Sequence, residues 1–140
     1  MLIKVKKFTA DAKLPEYAHP GDAGMDLYSV EDYELEPGDR VQVKTGIAMA
    51  IPDGCVGLIW EKSGLSHKFG LKRLGGVVDS GYRGEILVGI VNTSDTPYTL
   101  EKGHKVAQML IQKVESPELV EVESLDDSAR GEAGFGSSGK

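Results

Sequence analysis

Through residues 41–51, Val41, Val43, Ile47, Met49 and Ile51 fall on odd positions, with Gln42, Lys44 and Gly46 between them. A period of two sends successive side chains to opposite faces, so this stretch predicts half-buried strand. Turn residues bound it: Glu36-Pro37-Gly38-Asp39 before and Pro52-Asp53-Gly54 after, proline fixing φ and glycine supplying positive φ. Residues 86–91, Ile-Leu-Val-Gly-Ile-Val, are apolar on both faces. Such a strand must be covered twice, by a second sheet, a helix layer or another subunit. Further strands are predicted at 2–8, 56–60, 98–100, 106–114 and 119–122. Nowhere does a 3.6-residue period persist over three turns. One short helix is predicted at 63–69, with Ser63 capping its start, Gly70 ending it, and Leu65 and Phe69 on its buried face. The pattern predicts an all-β sandwich or barrel with one short helix.

A chain of 140 residues is long enough for one core, burying roughly 65–70% of the unfolded surface, and too short for two. The pattern stops at about Asp126, dividing the chain into a β domain over 1–125 and a glycine-rich tail over 126–140. Termini of this composition ordinarily fray. A purely solvating tail, however, has no use for Arg130 or for a lone Phe135 set among glycines, which are the parts of an arm that orders on a ligand.

Sixteen basic residues against 22 acidic ones give a net charge of −6, the wrong sign for a general nucleic-acid binder. An anionic small molecule is compatible if positive groups are concentrated locally or a metal accompanies it. No apolar run approaches the ~18–20 residues of a membrane helix. Lysines occupy the N-terminus where a signal peptide needs its apolar stretch. The single cysteine, Cys55, forbids an internal disulfide and suits a reducing, cytoplasmic setting.

Three places carry candidate chemistry. At Glu61-Lys62-Ser63-Gly64-Leu65, a strand delivers a lysine, a hydroxyl and a glycine to a helix start, which suits a phosphate or an ordinary capped junction. The run Gly75-Gly76-Val77-Val78-Asp79-Ser80-Gly81-Tyr82 describes a hairpin with open backbone edges near its start. Such an edge can pair with the polar edge of a planar base; Asp79 could take a proton from water, and Tyr82 offers a flat wall. In the plainer reading, Asp79 is a turn residue and Tyr82 flanks the core. Asp26, between Met25 and Leu27, suits a metal-associated acid or a strand acid. His19, His67 and His104 have no metal-ligand spacing.

Taken together, AGMDLYS (23–29), KSGLSHKFG (62–70), GGVVDSGYRGE (75–85), GHKVAQMLI (103–111) and RGEAGFGSSG (130–139) resemble, in order and spacing, the five motifs of the trimeric deoxyuridine triphosphatases. The resemblance implies a jelly-roll-like β-barrel subunit and a homotrimer whose sites each draw motifs from more than one chain. It also implies hydrolysis of dUTP to dUMP and pyrophosphate, which limits uracil in DNA and supplies dUMP for dTTP synthesis. By position, Asp79 matches the aspartate that activates water, and Tyr82 the ring against the deoxyribose. Gly75, Gly76, Val77 and Val78, with Leu87 opposite, match the hairpin that pairs with uracil. Lys62, Ser63, Gly64 and Gln108 match phosphate contacts. Asp26 matches an acid that holds Mg2+ through water, the ion resting mainly on the substrate phosphates. In the flexible arm, Phe135 would lie over the base, and Arg130, Gly136, Ser137 and Ser138 around the phosphates.

Two positions depart from the family pattern. Lys62 stands where arginine is usual, keeping the charge but losing the fixed two-pronged donor. Ser138 stands where threonine is common. The related dCTP deaminases use a glutamate on the strand after the hairpin, where this chain has Gly89. A non-catalytic regulator on the same fold is the other alternative, although every catalytic position here is filled.

Overall fold

A computed structural model describes residues 1–139; Lys140, the last residue of the expected arm, lies outside the described residues. The chain runs through β1 (Lys4–Lys7), β2 (Met25–Tyr28), β3 (Tyr33–Leu35), β4 (Arg40–Lys44), β5 (Ile47–Ala50) and β6 (Cys55–Trp60). The helix α1 (Ser63–Phe69) follows, then β7 (Leu71–Leu74), β8 (Val77–Val78), β9 (Leu87–Asn92), β10 (Tyr98–Leu100) and β11 (Lys105–Lys113). These strands form a sheet of order β2-β11-β6-β8, a sheet of order β4-β9-β7, and the pairs β1-β5 and β10-β3. One core unites them, with Leu27, Ile59, Val78 and Met109 from the first sheet and Val43, Leu71, Val88 and Ile90 from the second. The sheets do not close into a barrel. Of the two expected architectures, the layered sandwich is the one formed.

The alternating stretch 41–51 is two strands. Gly46 breaks it at φ 69°, where a Cβ would lie 2.9 Å from both Ala12 Cβ and Val30 Cγ1. Only glycine fits such a position. The break lets β4 pair with β9 while β5 turns away to pair with β1. Thr45 secures the corner, its buried hydroxyl donating to the Ile86 carbonyl at 2.6 Å.

The helix spans the expected residues, with two local differences. Lys62, not Ser63, is the N-cap, because its carbonyl accepts the first helical bond from Ser66 N–H at 3.0 Å, and no side chain caps the turn. Gly70 ends the helix at φ 66° as expected. The anticipated buried face is shallow: Leu65 is half-buried, while Phe69 stays exposed and rests on Tyr98, ring centroids 5.0 Å apart. Two turns on the molecular surface bury little.

Strand β9 buries Val88, Ile90 and Asn92 on one face. Its other face carries Leu87, Gly89 and Val91, which a single chain leaves partly open. A groove of about 400 Å³ runs there, past Arg40, Gln42 and Leu74. The strand expected at 119–122 does not form: the last strand ends at Lys113, and residues 114–139 are exposed throughout. Leu119 and Leu125 are 90% and 87% exposed, apolar residues with no strand of their own chain beside them.

Candidate active site

Three of the five motifs converge on neighbouring strands. Asp26 of β2 lies opposite Gln108 of β11, and Gln108 lies opposite Trp60 of β6, which leads directly to Lys62. Asp26 is 2% exposed, between buried Met25 and Leu27. Lys62 Nζ donates to its Oδ1, and Lys105 Nζ stands 2.7 Å from Oδ2 at an angle that falls short of a hydrogen bond. Burial pushes the Asp26 carboxyl up, but Lys105 and Lys62 outweigh it and hold the group below its ordinary value of 3.8. Gln108 donates to the Glu61 carbonyl at 2.9 Å. Gly24 makes room for it, since a Cβ there would lie 2.5 Å from Gln108 Oε1. A cleft of about 420 Å³ opens between Asp22–Gly24, Trp60, Glu61 and Gln108. Ser63 and Gly64 are exposed in the first turn of α1, beside this cluster in sequence.

The hairpin motif builds a second cleft, of about 280 Å³, lined by Val77, Val78, Asp79, Tyr82 and Leu87 with Gln42, Glu85 and Ile86. Strand β8 pairs with β6 on one side only and is the end of its sheet, so its other backbone edge is free. Gly75 and Gly76 turn the chain into β8 at φ 70° and 117°. Asp79 opens the next turn, its carbonyl accepting from Tyr82 N–H at 3.1 Å. The Tyr82 ring lies over Gly84, where a Cβ would meet it, and its hydroxyl donates to the Glu85 carbonyl at 2.9 Å. Glu85 in turn accepts from Gly46 N–H at 2.8 Å. The loop that carries Asp79 is therefore tied to the corner between β4 and β5.

The structure does not bring the two clefts together. Val78 pairs with Gly57 near the start of β6, whereas Lys62 follows its far end. Lys62 lies five residues beyond Gly57, on the order of 16 Å for extended chain at ~3.3 Å per residue. Phe135, Arg130, Gly136, Ser137 and Ser138 lie at neither cleft. They form successive turns, Ser137 N–H donating to Gly134 O and Arg130 Nε to Ala133 O at 2.9 Å, and Phe135 is wholly exposed.

Both Asp26 oxygens face an ammonium group, Lys62 on Oδ1 and Lys105 2.7 Å from Oδ2, so a cation at this carboxylate would be reached through water and in exchange for one of the lysines. Among the described residues no three His, Cys, Asp or Glu side chains cluster as metal ligands. A cation bound here must therefore bring anionic ligands of its own.

Sequence reasoning missed Lys105, Glu61 and Arg73. In an unbroken strand Lys105 and Gln108, three apart, face opposite sides; a register shift between Lys105 and Ala107 brings both to Asp26. Nothing in the alternation signals that bulge. Glu61 and Arg73 are joined across the segment that contains α1, an ion pair of 3.5 Å that only the tertiary fold reveals.

Comparison with known proteins identifies the family of the chain. The family model described as dUTPase matches residues 10–139. The deoxyuridine 5'-triphosphate nucleotidohydrolase of Mycolicibacterium gilvum is 51% identical over 98% of this chain and 94% of its own, and that of Thermobifida fusca 50% identical over 98% and 78%. Among solved structures, a mutant dUTPase of Staphylococcus bacteriophage 80alpha with dUpNHpp has a TM-score of 0.94 at 35% identity, over 99% of both chains. A mutant dUTPase from phage phi11 of S. aureus, whose structure describes a structural Mg(II) ion, has a TM-score of 0.86 at 30% identity, over 91% of this chain and all of the other. No helix among the described residues is long and apolar enough to cross a membrane. With five motifs in series, a matching fold and near-complete alignment to its relatives, the chain belongs to the dUTPase family.

Proposed function

We propose that this hydrolase converts dUTP to dUMP and pyrophosphate at sites assembled from three copies of the chain in the cytoplasm, with Asp79 as general base. The observation that carries the reading is the cleft that sets Asp79 and Tyr82 beside a free strand edge. Unpaired N–H and C=O groups of β8 can pair with uracil as they would with another strand. Cytosine reverses donor and acceptor at positions 3 and 4 of the ring, and each buried mismatch costs about 1–3 kcal/mol. Tyr82 is held over Gly84; with the deoxyribose resting against its ring, a 2′-hydroxyl would clash. Asp79 takes the proton from the water that attacks the α-phosphorus, and the pyrophosphate leaves in line.

Lys62, Ser63, Gly64 and Gln108 hold the phosphates. Magnesium carried by the triphosphate, with Asp26 reaching it through water, would neutralise charge on the leaving group. Lys62 must release Asp26 to meet a phosphate, and Lys105 remains to pair the carboxylate. The arm closes the site, with Phe135 on the base and Arg130, Gly136, Ser137 and Ser138 around the phosphates. Its eleven residues from Arg130 span up to about 36 Å, enough to reach a neighbouring subunit.

Three features support the shared site: the distance between the two clefts, the open face of β9, and the exposed apolar residues of 119–125. The test is pyrophosphate release from dUTP, dCTP, dTTP and UTP with magnesium. Only dUTP should turn over, and Asp79→Asn should lower kcat by about 10²–10⁴-fold with nucleotide affinity nearly unchanged. Equal turnover of all four nucleotides, or full activity of the variant, defeats the assignment.

A further inference from the structure

The turn that precedes the free edge of β8 is made of two consecutive glycines, the residue type that loses most freedom on folding. A recognition edge mounted on such a turn needs something to hold it still. Two bonds do so. Ile59 N–H donates to the Gly76 carbonyl at 2.8 Å, and Arg73 Nη1 donates to the Gly75 carbonyl. A Cβ on Gly76 would lie 2.8 Å from Ile59 O and 3.2 Å from Arg73 Nη1, so the turn is pressed against both.

Arg73 is itself fixed from two further directions. Its guanidinium lies over the Trp60 ring, 4.5 Å from the centroid, and its Nε faces Glu61 Oε2 at 3.5 Å. Glu61 is mostly buried; it also accepts from Arg73 N–H at 3.3 Å and faces Lys72 Nζ at 3.4 Å. Arginine is suited to this post because a planar fork can stack on an indole, face a carboxylate and donate to a carbonyl at once. A lysine has one ammonium for all three.

We infer that Arg73 is a positioning residue for base selection: by locking the Gly75–Gly76 turn onto Trp60 and Glu61, it sets the backbone edge from Val77 to Asp79 that reads the pyrimidine. This rests on the proposed pairing of uracil with that edge. Arg73 does not line the cleft that holds Asp79 and Tyr82. Its loss should therefore act on recognition of the correct nucleotide more than on the chemical step.

The experiment compares wild type, Arg73→Met and Arg73→Lys for kcat and KM with dUTP and dCTP, alongside melting temperature and Trp60 emission. Arg73→Met should raise KM for dUTP on the order of tenfold, the worth of one well-placed hydrogen bond, while kcat changes far less. The preference for dUTP over dCTP should fall. Arg73→Lys should restore part of both, and Trp60, the sole tryptophan, should change emission in both variants. A lowered melting temperature with KM and preference unchanged would make Arg73 merely structural and overturn the inference. If Arg73→Met is insoluble, Arg73→Lys carries the test, and wild-type preference in that variant overturns the inference too. A wild type without preference for dUTP refutes the edge-pairing reading beneath it, which is a separate outcome.

Discussion

The most costly groups in this molecule to bury are carboxylates, and Asp26 and Glu61 are both paired with cations. Asp26 sits in a fully buried strand with an ammonium group on each oxygen. Removing both lysines would leave an unpaired charge in the core, a far larger penalty than a lost surface ion pair, whereas either one alone still pairs the carboxylate. Glu61 follows the same logic closer to solvent. Burial pushes its carboxyl up, but its own backbone N–H, that of Arg73 and the Lys72 ammonium hold it below its ordinary value of 4.5. A depressed acid adds stability that is complete above that ordinary value and is lost as pH falls through the folded-state value. Wild type should therefore lose its advantage in melting temperature over Glu61→Gln as pH drops below about 4.5, and a constant gap across the acid range would contradict this.

Elements are held in register by a few buried polar residues as much as by the apolar stripe. Asn92 closes β9 at 0% exposure. Its amide donates to Leu35 O at 3.0 Å and Thr96 O at 2.8 Å, while Oδ1 accepts from Ser94 N–H and its hydroxyl. One side chain thus joins β9, β3 and the loop into β10. Asn92→Ala should cost about 2 kcal/mol, since the buried Leu35 carbonyl loses its donor; urea unfolding measures it, and a loss under about 0.5 kcal/mol would show that water replaces the amide.

At this scale the sequence was most readable where one periodicity ruled. Tyr98–Leu100 and Ser63–Phe69 form within their expected limits, and Cys55–Trp60 differs by one residue. Strands β3 and β7, of three and four residues, escaped notice. The site was legible where motif chemistry sits in one stretch, as in Val77, Val78, Asp79 and Tyr82, which line one cleft. It was illegible where a bulge re-aims Lys105 or where Arg73 reaches back to Glu61. Alternation describes a regular strand, and both contacts depend on departures from one.

At the scale of the whole molecule, one chain carries two separate clefts, one beside Asp26 and Gln108 and one beside Asp79 and Tyr82. Its apolar surface is also unfinished, with Leu87 and Leu74 part-open on one side and 119–125 bare on the other. Segments such as 119–122 have strand composition but pair with nothing in their own chain, which is why composition foretold a strand that a single copy cannot form. Association would cover both surfaces.

The separation of Asp79 from Lys62 along β6 has a genetic corollary. If each working centre borrows its acid from one copy and its cation from another, two differently broken genes can repair each other. Neither Asp79→Asn nor Lys62→Met alone should hydrolyse dUTP well, yet co-expressed chains should form mixed assemblies in which an intact acid meets an intact lysine. Recovered turnover in the mixture, proportional to the hybrid fraction, is the expected result; a mixture as silent as its parents would mean that every centre is built from a single copy.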